Sequence, residues 1–289
     1  PMCSRMKDMK ALCGFLAFVI LIAFFLSPPC VGAEKNATTE VTLRSDELYY
    51  DPNSGKVTAK GSVEVTREDL VVKSPFAEGF IDGREFRFWN GVDASWPSRE
   101  ANLTCLELKM TKDERGTLLR ASGKSHMIRG KDEEIRCNDL EWLDGKTIYY
   151  SAMGNVNARM KQMEIVAERV TRRGDDFDAT QVQQFRDKER GVTMSAQEVK
   201  GKIKDELIDE MWARGNVVIV HEPKDGERTN ITGDQAHYIR DKGVLEVSGN
   251  AKAVQEGKTI EAESLVYYVE DRHIEALGRP KVVVEVKEE

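Results

Sequence analysis

Cysteine is nearly absent from the part of the chain that has to fold. Three of the five cysteines fall within the first thirty residues, which leaves Cys105 and Cys137. Two thiols cannot supply a disulfide framework, so a hydrophobic core must hold the protein together. The four histidines, His126, His221, His237 and His273, show no H-E-x-x-H or other metal spacing, and each reads as a strand surface residue. No G-x-x-x-x-G-K run offers a phosphate cradle, so any driving force must come from a partner. Ser195, in "TMSAQE", lacks the glycines of a nucleophile elbow. The acid pairs Glu133–Glu134 and Asp175–Asp176 read as solvated turns rather than as a glycosidase pair. The chain therefore reads as a non-enzyme with no metal and no cofactor. Basic clusters are missing as well: 43 Lys and Arg stand against 50 Asp and Glu, a net charge of −7. Neither nucleic acid nor an anionic lipid surface finds a basic face to meet.

Long apolar runs are scarce too. The one at the start covers the sixteen residues Ala11 to Leu26, preceded by Arg5, Lys7 and Lys10 and followed by "SPPCVGA". Residues 1–33 read as a secretory signal cut after Ala33, with Val31 as the other small residue of the cleavage site. The run falls short of the roughly 20 residues a spanning helix needs. An uncleaved anchor, holding the rest at the inner membrane and facing the periplasm, stays open as the alternative. Lipid attachment at Cys30 is opposed by Pro28–Pro29. Loss of residues 1–33 would move the net charge to −9. Residues 34–40 then read as a short linker.

What is abundant is repetition. Glycines recur at Gly61, Gly123, Gly154, Gly215, Gly249 and Gly278, with Asn90 in the same place once. The period is near thirty-one residues, and the gap of 61 between Gly154 and Gly215 hides one degenerate copy. Four positions before each marker stand Val57, Phe86, Leu119, Tyr150, Met211, Leu245 and Ile274; two before stand Ala59, Phe88, Ala121, Ala152, Ala213, Val247 and Ala276. A second column of small residues runs Ser45, Ser74, Cys105, Cys137, Ala167, Ala196, Gly233 and Ala262, usually with an acid just after.

Within a unit, Val57, Ala59, Gly61, Val63 and Val65 share one parity against Lys60, Ser62 and Glu64. That is the period of a strand with one face buried. Turn residues separate two strands per unit, at "DPNSG" (51–55), "LDG" (143–145) and "RDKG" (240–243). Eight units predict about sixteen strands. One glycine per unit at one place predicts an aligned row of bends, folding a sheet into two facing layers. Cys105 and Cys137 would face the same way on successive units, either bridged or as two small buried thiols.

The unit "LRSDELYYDPNSGKVTAKGSVEVTREDLVVKSPFAE" resembles the repeat of the LptA/OstA family of periplasmic lipopolysaccharide-transport proteins. The likeness lies in the small-plus-Asp start (Ser45–Asp46), the turn and the Gly-x-Val step (Gly61, Val63), and it recurs from Gly233 to Leu265. Residues 97–230 match in spacing and look as much like the related LptC module. The resemblance implies an all-β, elongated, V-shaped antiparallel β-jellyroll over residues 41–289, with two fused modules, 41–about 160 and about 161–289, as the alternative. It also implies an interior that shelters the acyl chains of lipid A, stacking of copies end to end, and partners in the inner- and outer-membrane transport components.

The residues expected to line the trough are Val57, Val63, Val65, Tyr150, Val156, Met211, Val217, Ile219, Leu245, Val247 and Ile274. The closing "KVVVEVKEE" reads as an edge strand through Val282, Val284 and Val286, expected to pair head to tail with a second copy rather than merely to be blunted by its charged tail. Tyr49, Tyr50, Tyr267 and Tyr268 sit near strand ends, where aromatics cover a core. Aromatic rows also bind sugars, so an envelope carbohydrate-binding or scaffold protein is the second reading.

Overall fold

The computed structural model describes residues 40–285. The signal segment 1–33, all of the linker but Glu40, and Val286 lie outside the described residues. The described chain is strand almost throughout: β1 (Val41–Arg44), β2 (Glu47–Tyr50), β3 (Lys56–Arg67), β4 (Leu70–Phe80), β5 (Glu85–Trp96), β6 (Ala101–Asp113), β7 (Gly116–Arg129), β8 (Glu133–Gly145), β9 (Tyr149–Met160), β10 (Met163–Arg173), β11 (Asp176–Asp187), β12 (Val192–Lys204), β13 (Leu207–His221), β14 (Thr229–Ile239), β15 (Val244–Gln255), β16 (Lys258–Tyr268), β17 (His273–Leu277) and β18 (Lys281–Val284). One turn of 3-10 helix, Pro97–Arg99, joins β5 to β6.

Every strand from β3 to β16 pairs antiparallel with its successor, so the sheet is an elongated meander. At one end β1 and β2 each take half of β3, Val41 opposite Arg67 and Tyr50 opposite Val57. At the other end β17 and β18 share β16 in the same way. Among the described residues no pairing joins the two ends, so the sheet is unclosed. The broken terminal strands count as one rung each, giving the sixteen rungs that the repeat predicts.

Each neighbouring pair from β3–β4 to β15–β16 slips register near mid-strand; Lys60 opposes Phe76 but Val63 opposes Ser74. These slips are the row of bends. At Gly61 and Gly249 the backbone takes φ of +75° twice, followed by Ser62 at 46° and Asn250 at 50°. Two consecutive left-handed residues turn the strand, and glycine bears the first at no steric cost. A second reason is crowding. A Cβ on Gly249 would lie 2.5 Å from Asp234 Oδ2, and Asp46 occupies the same place over Gly61. The residue after the small-column position, an acid in these two units, is thus part of the bend: Ser62 Oγ donates to Asp46 Oδ2 at 3.1 Å, and Asn250 Nδ2 donates to Asp234 Oδ2 at 3.1 Å.

The degenerate copy is Gln181, in β11, with φ of 51°. Phe177 and Ala179 stand four and two residues before it, filling both apolar columns, and both are buried. The bend divides every long strand into two halves. The near leaf holds β1 and β18, the far leaf β2 and β17, and each buries one face against the other in a single apolar core.

Candidate functional site

The interior between the leaves is the feature that the repeat builds. Of the residues expected to line it, Val57, Val63, Val65, Tyr150, Val156, Met211, Val217, Ile219, Leu245 and Val247 are buried in that core, and Ile274 packs half-buried against it. The interior is packed with side chains. Where an internal space persists, it is lined by Ile135, Tyr150, Met163, Phe177, Phe185 and Ile208 and measures about 40 Å³, room for a few waters rather than for an acyl chain. Five fully buried methionines, Met110, Met127, Met163, Met194 and Met211, run along the interior. Unbranched thioethers re-pack more readily than β-branched side chains.

Opposite the bend, the turns of the two leaves meet along a mouth, which polar contacts close. Arg67 Nη1 donates to the Gly83 carbonyl at 3.1 Å, Arg99 Nε meets Asp144 Oδ1 at 2.9 Å, and Lys161 Nζ donates to the Asp205 carbonyl at 2.7 Å. Arg190 pairs with Glu270. Two of these four contacts reach three strands onward: the β5–β6 turn meets β8, and the β9–β10 turn meets the β12–β13 turn. Leaves of a twisted sheet cross at an angle when they face each other, which displaces the partners.

Three closures are buried. Asp187, fully buried at the end of β11, accepts from Tyr238 Oη at 3.2 Å and from Arg240 Nε at 3.2 Å, while its other oxygen accepts from the backbone N–H groups of Glu189 and Arg190 at 3.1 and 3.2 Å. Burial pulls the Arg240 guanidinium down, and the carboxylates of Asp187 and Glu189 more than offset it. Burial also raises the Tyr238 hydroxyl, with Asp187 adding to the effect. In the second closure the Tyr267 hydroxyl sits 2.6 Å from His221 Nδ1 and 3.4 Å from Thr229 Oγ1. Burial pushes His221 below the usual imidazole range.

A third closure lies mid-mouth. Glu133 pairs with Arg129 and stands 3.8 Å from Arg172, beneath which burial and the Glu133 charge push Tyr150 up to about 12.

Several sequence expectations need correction here. His221 is not a surface residue but lies 3% exposed between the leaves, because β13 runs on to the mouth and meets Tyr267 of β16. Glu133 and Glu134 begin β8 rather than forming a turn, and Glu133 is buried by its two arginines. Tyr49 and Tyr50 cover no core; Tyr49 is 70% exposed, because β2 is an edge strand among the described residues. Cys105 and Cys137 are free and buried, on β6 and β8 with Ser125 of β7 opposite Cys137. Two strand spacings separate them by roughly 10 Å, beyond the reach of a disulfide. Burial raises their thiols to about 12 and about 11, so neither is a nucleophile near neutral pH.

The outer face carries its own feature. Lys200, Trp212, His237 and Glu246 oppose one another across β12 to β15. Trp212 and His237 stack with ring centroids 4.9 Å apart, over a groove of about 550 Å³ that Gln235, Ser248 and Ser264 also line. Val282 and Val284 stand on β18, 61% and 53% exposed, paired among the described residues to Ile260 and Lys258 on one side only. Sequence reasoning missed the mouth, because its partners lie 45 to 53 residues apart at Arg99–Asp144 and Asp187–Arg240, off the thirty-one-residue period. Among the described residues no group of three or more His, Cys, Asp or Glu side chains is placed to hold a metal ion. None of their helices is long and apolar enough to cross a membrane, which says nothing about strands.

No family model matches the chain, and no curated protein does. Among solved structures it is similar to LptH, described as the LptA homologous periplasmic component of the conserved lipopolysaccharide transport device from Pseudomonas aeruginosa. The identity is 17%, with 53% of this chain and 94% of that chain covered, at a TM-score of 0.32. A likeness this loose leaves the function to be argued from the residues.

Proposed function

We propose that the chain is a periplasmic carrier of lipopolysaccharide, of the LptA/OstA kind that its repeat resembles. The acyl chains of lipid A would lie between the leaves, and transport components of the inner and outer membranes would deliver and receive the lipid at the two ends. The observation that carries the reading is one apolar interior, continuous from Val57 on β3 to Tyr267 on β16, inside a sheet that is not closed. Covering acyl surface there gains roughly 25 cal/mol per Å². Because the interior is packed, loading works by parting the leaves and re-packing side chains, for which the row of methionines is suited. Two fused modules meeting near residue 160, and an LptC-like middle, belong to the same proposal.

A photoreactive side chain tests it. Placed at Val217 or Val156, both buried between the leaves, it is expected to capture lipopolysaccharide; placed at the outward Lys60 or Glu64 it is not. Equal capture at both sets would sink the interior carrier. The second reading, a glycan-binding envelope protein, is favoured by one feature, the Trp212–His237 stack over its outer groove. Capture of the sugar portion by a probe at Gln235, with none at Val217, would select it.

A further inference from the structure

We infer that acyl chains enter the interior sideways, through the middle of the mouth at Glu133, and that the ligand received there is an acyl amphiphile with a phosphate headgroup; the inference rests on the carrier reading above. Two spaces meet at this point. The internal apolar space of about 40 Å³ lies against a depression of about 570 Å³ at the mouth, and Glu133 and Met160 are walls of both. The shared wall is thus a flexible thioether and a carboxylate held by Arg129 and Arg172.

The far leaf is also loosely tied here. The backbone N–H of Ile208, just past the β12–β13 turn, donates to Met163 Sδ across the mouth at 3.2 Å. A thioether is a weak acceptor, and the hairpin's other ties, Lys161 to the Asp205 carbonyl and Arg129 to Glu206, lie at the exposed rim where water replaces them, so drawing it aside costs little. Further along, Asp187 would lose two donors from the opposite leaf, Tyr238 and Arg240, while fully buried. Leaving such a carboxylate uncompensated is costly; at Glu133 the partner Arg129 sits on the same leaf and stays with it, so the mouth opens more readily there than at Asp187.

Charge at depth selects the headgroup. The Arg172 and Glu133 side chains are 5% and 10% exposed and Arg129 is 24% exposed, whereas Glu206, 3.9 Å from Arg129, is 61% exposed. Glu100 and Asp132 are exposed on the rim beside Lys131, which has no ion pair among the described residues. Below the rim, two guanidiniums face one carboxylate. Guanidinium binds phosphate through paired, charge-assisted hydrogen bonds. A phosphate arriving there exchanges partners with Glu133 and frees the shared wall for the chain that follows.

The test uses the full chain and two probes with the same diazirine-bearing palmitoyl chain, lysophosphatidic acid and its phosphate-free counterpart, a monoacylglycerol, photolysed at successive times after mixing. The earliest adducts are expected at Met160, Met163 and Tyr150, with Leu245 and Val247 following, and the phosphate monoester is expected to load faster. Glu133→Gln, which loosens the neck and removes the buried carboxylate that both arginines face, is expected to speed uptake of the phosphate probe several-fold. Glu270→Gln, which removes an exposed partner of Arg190 elsewhere on the mouth, is expected to leave it unchanged. If Glu133→Gln fails to fold, Met160→Phe, which thickens the shared wall, should slow uptake instead.

Earliest adducts on β1, β2, β17 or β18, or equal effects of the Glu133 and Glu270 variants, would overturn the side entrance, while later interior adducts would keep the carrier. Equal loading of the two headgroups would overturn the phosphate assignment. No interior adduct at any time would instead remove the carrier reading on which the inference rests.

Discussion

The middle rungs and the last rungs use the same side chains with opposite results. Val217 and Ile219 on β13 are 1% and 0% exposed, while Val282 and Val284 on β18 are 61% and 53% exposed. Both pairs alternate along a strand, and both strands follow a bend. The difference is what lies around them. β13 is paired on both sides and faced by the other leaf, whereas β18 is four residues long and, among the described residues, paired only to β16. The other end behaves alike, with Leu48, Tyr49 and Tyr50 exposed on β2. Burial in this fold is therefore conferred by the neighbouring rungs. Each terminal rung keeps the pattern of a core strand with no next rung among the described residues to complete it, which is the chemical description of a surface that a further strand would cover.

The largest expected effect tests that contrast directly. Val217→Asp places a carboxylate where no polar partner waits, and is expected to cost about 4 kcal/mol or more, or to prevent folding. Val282→Asp is expected to change stability by no more than about 0.5 kcal/mol, as surface substitutions do. Urea midpoints measure both. The terminal substitution is expected to act on association instead, lowering the self-association seen by sedimentation velocity at high concentration. If Val282→Asp destabilised the monomer as Val217→Asp does, the ends would be finished structures and the contrast would collapse.

A smaller effect is expected at the bends. Gly154 in β9 has φ of +75°, and a Cβ there would lie 2.5 Å from Asn138 Nδ2. Gly278, between β17 and β18, has φ of +76° and an equally close neighbour, Glu263, at 2.6 Å. The local strain is the same, so Gly154→Ala is expected to lower global stability by about 1 to 3 kcal/mol. Gly278→Ala is expected to fray the last rung without moving the main unfolding transition. Hydrogen exchange separates these outcomes: the middle variant speeds exchange across many strands, the end variant only on β17 and β18. Equal loss of global stability would show that the terminal rung folds as one unit with the rest.

The bends and the two apolar columns were legible in the sequence because they are local. A glycine with apolar residues four and two positions before it is a property of a single strand, and the antiparallel meander follows from short turns between such strands. The hidden eighth copy was legible in principle through Phe177 and Ala179, but Gln181 offers no glycine to align on, since a non-glycine occasionally bears a left-handed backbone. The mouth was not legible. Asp187 meets Tyr238 and Arg240 because the leaves cross at an angle, and that angle is a cumulative consequence of twist over several strands. The same reason hid the burial of His221 and of Glu133: each stands at a strand end, where a periodic pattern predicts exposure and only the opposite leaf supplies cover. The interior residues were named as a lining. Their dense packing depends on how closely the leaves approach, which no spacing encodes.

The smallest effect expected is a pH dependence carried by that hidden cover. His221 lies buried beside Tyr267, and burial holds its imidazole below the usual value. With the folded value depressed, the unfolded chain takes up a proton first as pH falls through the ordinary histidine range near 6.5. The stabilisation from keeping His221 neutral is therefore fully present above that range and is lost progressively as pH falls toward the depressed folded value. Carboxylates such as Glu107 and Glu134, held low by hydrogen bonds from Arg87 and His126, lose stabilisation lower still, as pH passes through the carboxylate range. The informative quantity is thus the difference between wild type and His221→Gln. Between pH 7.5 and pH 5.5 the urea midpoint of the wild type is expected to fall more than that of the variant. Parallel profiles would mean that His221 gains its proton without leaving the mouth, and that water already reaches this part of the middle rungs as freely as it reaches the ends.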